Sequence, residues 1–214
     1  MWSKRIQYLN ENYTRIAKSD RVFLNNPVVM SGLGLTPLIA TAYTAQNAVI
    51  LSIAVLLILT PTRIAGSFCS KWIKLRALAY CLPACIIYIG VYLLLRNWFD
   101  LQLIAMGIYF PLLTVEPIII KRYERNTPEK WTTALKKGLL TTSGYILVIL
   151  IVGSLREFLA FGTIFGYEIA STPALPMASL TSGGFIVLAL LCAFWRSLIN
   201  MTKKWINMEA KKYQ

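Results

Sequence analysis

Apolar residues along the chain gather into six runs separated by short polar stretches. They are Pro27–Thr44, Ala48–Phe68, Ala77–Leu95, Leu101–Ile120, Gly138–Leu155 (continuing toward Phe161) and Ser179–Phe194. A helix needs about 20 apolar residues to cross the hydrocarbon core of a bilayer, with a range of about 17–25. The runs match that length, the first and sixth only just. At this length only helices satisfy their backbone groups in lipid. The pattern therefore predicts an all-α polytopic membrane protein with six transmembrane helices. Residues 1–26 form a polar N-terminal segment, 27–198 the membrane domain and 199–214 a basic tail. Trp2, Ile6, Leu9 and Tyr13 recur at spacings of three and four, which suits an interfacial helix or a loosely held tail. The N-terminal segment lacks the uninterrupted apolar core of a signal peptide.

Composition strengthens this picture. Of 214 residues, 57% are hydrophobic and 14% charged, with a net charge of +13. Soluble domains average about 45–50% apolar and about 25% charged. The basic excess is unevenly placed. Eighteen of the 22 Lys and Arg residues fall in the N-terminal segment, the loops after the second and fourth runs, and the C-terminal tail. The opposite loops hold only Arg96. Both termini are therefore expected in the cytoplasm. The charge is topological, and nucleic acid is not an expected partner.

Two features carry chemistry. The first and fourth runs are both interrupted by Gly and Pro, as Gly32-Leu-Gly-Leu-Thr-Pro37 and Gly107-Ile-Tyr-Phe-Pro111-Leu-Leu-Thr-Val-Glu-Pro117. Each opens a half of three spans. Halves of three spans lie in opposite orientations, the plan of an inverted repeat with broken helices meeting near the midplane. Thr36, Pro37, Pro111, Glu116 and Pro117 are accordingly candidates for an ion path or midplane site; simple proline kinks are the other reading. Glu116 is read in two ways, as an ion or proton site or as a carboxylate near the inner end of its span paired with Lys121 or Arg122. Arg156 and Glu157 follow an 18-residue apolar run, which places them near the outer interface. Adjacent residues on a helix face different ways, so each needs its own partner. They read as structural anchors.

There is no His, and the four cysteines lie in or beside apolar runs. Cys81 and Cys85 share a helix face; small packing residues are the plain reading, a metal pair the other. No phosphate loop, metal-ligand spacing or nucleophile elbow appears, so no catalysis is expected from this chain alone.

The segment Asn26-Pro-Val-Val-Met-Ser-Gly-Leu-Gly-Leu-Thr-Pro-Leu-Ile-Ala-Thr41 resembles the opening span of E-type subunits of Rnf (Rsx) electron transport complexes. The D-type subunits of sodium-translocating NADH:quinone reductases are related. Phe110–Glu124 and Gly153–Gly166 are similar to further segments of the same subunits, so the resemblance covers roughly Asn26 to Leu198. It implies a six-span inverted repeat paired with a paralogous A-type subunit of opposite topology, in the bacterial cytoplasmic membrane. The complex would couple electron transfer to Na⁺ or H⁺ transport, with flavins on partner subunits. In the family a cysteine in each interrupted span, with the partner's pair, holds an iron–sulfur cluster, which needs four thiolates. Here those positions are Thr36 and Pro117, so this chain is expected to lack the cluster in its usual form. Arg122, Glu124, Arg156 and Glu157 follow the family pattern as charged anchors. A non-redox transporter or a scaffold subunit on the same plan is the alternative.

Overall fold

In the computed structural model, the residues described are 12–13, 19–32, 34–73, 75–116 and 131–211. Helices dominate them: α1 (Pro27–Ser31), α2 (Leu35–Thr41), α3 (Ala45–Cys69), α4 (Arg76–Met106), α5 (Trp131–Phe161) and α6 (Thr181–Lys211). Four stretches are long and apolar enough to cross a membrane: Ala45–Cys69, Ala77–Tyr109, Trp131–Phe161 and Thr181–Ala210.

The first apolar run does not form one helix. Asn26 caps α1, its side-chain carbonyl accepting from the amides of Val28 (2.9 Å) and Val29 (3.4 Å). Pro27 occupies the first helical position, where its missing N–H costs nothing. Gly32 at φ +66° ends α1, and Gly34 at φ +71° starts α2. Both lie in left-handed space that glycine enters freely.

The fourth run departs further from expectation. No loop separates it from the third, because α4 continues through Asn97 to Met106 across a kink at Phe99 (φ −135°, ψ 39°). An Arg96–Asp100 pair at 3.3 Å, one turn apart, bridges the kink. Gly107 (φ +50°) then breaks the helix, and the chain proceeds as 3₁₀ turns at Gly107–Tyr109 and Pro111–Thr114. The chain turns back on itself here. The ring of Phe110 packs against Tyr88 (5.7 Å) and Tyr92 (6.3 Å) of α4.

The core is built on the antiparallel pair α3 and α5, the most extensive packing in the chain. Their register is marked by Ala45 with Glu157, Ala48 with Gly153, Thr60 with Thr142 and Arg63 with Gly138. Small residues let the backbones approach, and the Thr60–Thr142 hydroxyls bond at 3.1 Å across the pair. A side chain at Gly153 would run into Ala48. Val28, Val29, Leu38 and Ile39 of the interrupted segment join this core with Leu51, Val55, Ile58, Phe110, Val148 and Ile149.

The outer faces of α4 and α6 stay apolar and uncovered, including Ile86, Leu93, Phe185, Leu190 and Phe194. Only 22% of the apolar window of α6 is buried within the chain. Surface of this kind faces lipid or neighbouring subunits. Cys85 is exposed on α4 with Cys81 beside it, so neither is held in the interior of the chain. The α6 helix continues past Leu198, making the described part of the basic tail helical. Lys203 of that extension lies over the Tyr13 ring at 5.8 Å.

Candidate midplane site

The two interrupted segments meet. Gly34, at the break between α1 and α2, is held from two sides. Its N–H donates to the Glu116 carboxylate. Its C=O accepts from the Tyr145 hydroxyl of α5 at 2.7 Å. Glu116 follows the 3₁₀ turn of the second interruption, and it is buried at 6% exposure. Its Oε2 has no hydrogen-bond partner. The carboxylate borders a crevice lined by Val55, Ile58 and Leu59 of α3 with Leu113 and Tyr145, too tight for a water molecule.

The α3 residues give the depth. Val55–Leu59 sit midway along Ala45–Cys69, about 15 Å from either end at about 1.5 Å per residue. Glu116 therefore lies at half height rather than near the inner end of a continuous span. The expectation of an inner-end position assumed an unbroken helix; the turns at Gly107 and Pro111 shift the register. Lys121, Arg122, Glu124 and Pro117 lie outside the described residues. Thr36, in the first turn of α2, is exposed, Pro37 is buried and Pro111 is exposed.

Charged side chains stabilise the ends of the short helices. The Arg156 guanidinium is fully buried and donates to five carbonyls. Two belong to the end of α2, Ile39 (2.6 Å) and Ala42 (3.1 Å). Three belong to the turn before α6, namely Ala178 (2.9 Å), Ser179 (3.2 Å) and Leu180 (3.2 Å). A cation at a helix C-terminus complements both the dipole and the orphan carbonyls. Gly184 makes room, since a side chain there would meet the guanidinium at 2.8 Å. Arg196 of α6 does the same for α1, donating to Val29 (2.9 Å) and Met30 (3.2 Å).

Glu157 faces the other way and accepts from the Ala45 amide at 2.6 Å, at the N-terminus of α3. It also accepts from Thr163 Oγ1 (3.1 Å) and the Gly166 amide (2.9 Å). The neighbouring pair thus holds both sides of the Ala42–Thr44 corner. Asn26 and Arg196 are the site-building residues that pattern reading missed. Asn26 Nδ2 ties the Val22 carbonyl (2.9 Å) to that of Gly144 (2.8 Å). The Asn-Pro pair before an apolar run was a cap signal available in the sequence. Nothing in the sequence pairs Arg196 with α1.

Comparison with known proteins decides the family. A family model described as "Rnf-Nqr subunit, membrane protein" matches residues 15–192. The chain belongs to the Rnf-Nqr family of membrane subunits. Its curated relatives are, by name, the E-type subunits of ion-translocating oxidoreductase complexes. The protein of Pseudomonas paraeruginosa (strain DSM 24068 / PA7) is 32% identical over 206 residues, covering 86% of this chain and 85% of the relative. Those of Pseudomonas aeruginosa (strain LESB58) and Shewanella sp. (strain ANA-3) are each 30% identical, covering 86% and 85% of this chain and 84% and 86% of themselves.

The donor set does not fit the iron–sulfur cluster that the resemblance implies. Thr36 presents a hydroxyl and Pro117 has no donor side chain. Among the described residues no group of three or more His, Cys, Asp or Glu is placed to hold a metal.

Proposed function

We propose that this chain is a membrane subunit of a redox-driven, ion-translocating oxidoreductase complex, in which it contributes to the ion path rather than an electron-carrying cluster. Membership of the Rnf-Nqr family and the names of its relatives support the complex. The observation that carries the ion-path role is the meeting of both interruptions at Gly34, Glu116 and Tyr145. A carboxylate at this depth costs on the order of 2.5 kcal/mol or more, so a chain keeps one there for use. Thr36 and Pro111 flank the junction on the exposed side, where a partner subunit would complete it.

The wider plan is six segments in two inverted halves, with the first and fourth broken. One half is α1/α2, α3 and the long part of α4. The other is the 3₁₀ segment ending at Glu116, then α5 and α6. The partner is a paralogous six-segment subunit of opposite topology, alongside flavin-carrying subunits. Both termini lie on the cytoplasmic face of the bacterial inner membrane.

The test uses the complex purified through a tag on this chain and reconstituted in vesicles. Glu116→Gln keeps the shape and removes the charge. Subunit co-purification should be unchanged while redox-driven ion uptake falls at least tenfold. Unchanged uptake would leave Glu116 a structural residue. Absence of redox subunits in the purified material would overturn the assignment to the complex.

A further inference from the structure

A second site lies away from the midplane, at the basic end of the bundle. The chain at Ser19–Arg21 crosses the start of α5 and encloses a cavity of about 420 Å³. Its lining is Ser19, Arg21, Thr132, Thr133, Lys136 and Lys137, with Leu140 at the inner edge. Three cations and three hydroxyls thus converge, and none of the lining residues is acidic. The nearby Asp20 turns away, its carboxylate accepting from the amides of Val22 (2.9 Å) and Phe23 (3.2 Å).

The cavity is built rather than accidental. Arg21 donates to Thr141 Oγ1 at 2.9 Å, and Thr141 donates back to the Lys137 carbonyl at 2.7 Å. Gly144 lets the Arg21 backbone lie directly on α5, where any side chain would strike its carbonyl oxygen. Asn26 fixes the same crossing through the Gly144 carbonyl.

Its position selects the ligand. Lys137 and Gly138 stand opposite Arg63 near the inner end of α3, one turn above the apolar part of α5. Toward the bundle centre the lining becomes Leu140, and Leu139 beside it is 46% exposed. Trp131, 58% exposed, stands on the outer side of the same turns, as interfacial aromatics do. Phosphate chemistry at the rim with an apolar flank below describes a lipid.

We propose that this cavity binds the phosphate of an anionic phospholipid, with Lys136, Lys137 and Arg21 meeting its charge, the Ser and Thr hydroxyls its ester and glycerol oxygens, and Leu139 and Leu140 an acyl chain. Basic pockets between membrane helices are suited to such headgroups. The lipid would pin the Ser19–Asn26 crossing to α5 and so steady the start of α1.

The test is native mass spectrometry of the full chain in detergent with added phosphatidylglycerol, phosphatidylcholine or inorganic phosphate. Retention of phosphatidylglycerol over phosphatidylcholine is expected. Lys136→Gln should weaken it about fivefold and Lys136→Gln with Lys137→Gln about thirtyfold. Thr132→Val with Thr133→Val, which alters no charge, should weaken it several-fold and decides the matter if the lysine variant does not fold. Excess inorganic phosphate should not displace the lipid. Equal retention of both lipids, or unchanged retention in the variants, would overturn the proposal. Displacement by phosphate at low concentration would make free phosphate the ligand and overturn the lipid assignment.

Discussion

Gly34→Ala tests the construction of the midplane site directly. Gly34 sits at φ +71°, and an added Cβ would fall within the Tyr145 ring and hydroxyl. Two costs follow. Holding alanine in left-handed backbone costs roughly 1–2 kcal/mol. Displacing Tyr145 breaks its 2.7 Å bond to the Gly34 carbonyl, and a buried polar group left without its partner costs about 1–3 kcal/mol. The expected loss is about 3 kcal/mol. On the scale of about 2–4 °C per kcal/mol for a chain of this length, thermal unfolding in detergent should shift down by about 6–12 °C. A double-mutant cycle separates the two costs. In a Tyr145→Val background the obstacle is gone, and Gly34→Ala should cost only the backbone share of roughly 1–2 kcal/mol. In a Tyr145→Phe background the ring remains and most of the penalty should persist. Additive costs in the valine background would refute the contact, and a neutral Gly34→Ala would refute the left-handed turn itself.

Two further substitutions probe what holds the interrupted segment. Arg156→Met leaves five buried carbonyls without their donor and should cost about 3–5 kcal/mol in a denaturant titration, the scale on which one half of a buried charged interaction is lost. Arg156→Lys should recover only part, since a point charge cannot span carbonyls of two elements; full recovery would show that charge alone matters. Asn26→Ala removes the α1 cap and the ties to the Val22 and Gly144 carbonyls. It should cost about 1–3 kcal/mol and speed proteolysis at residues 19–32, and unchanged cleavage there would count against the tie.

The spans were legible because lipid demands them. A backbone in hydrocarbon must bond within itself, so long apolar runs become helices whatever their neighbours. That argument located α3, α4, α5 and α6 from hydropathy alone. Gly32, Gly34 and Gly107 marked the breaks because few other residues accept their backbone angles. Three ordered motifs carried the family, which the comparisons then established.

Other features came from the tertiary structure. The Phe99 kink that merges the third and fourth runs breaks no sequence rule, since neither Gly nor Pro stands there. The height of Glu116 depends on how the turns after Gly107 fold back along α4, and apolar spacing carries no information on that. Residues 39, 42 and 178–180 around Arg156 are joined through carbonyls, which every residue type possesses alike. Backbone acceptors leave no mark in the side-chain pattern, so an arginine that caps distant helices is invisible until the helices are placed. Hydropathy decided which segments enter the membrane; packing decided that two of them stop halfway, and that a glycine, a glutamate and a tyrosine meet where they stop.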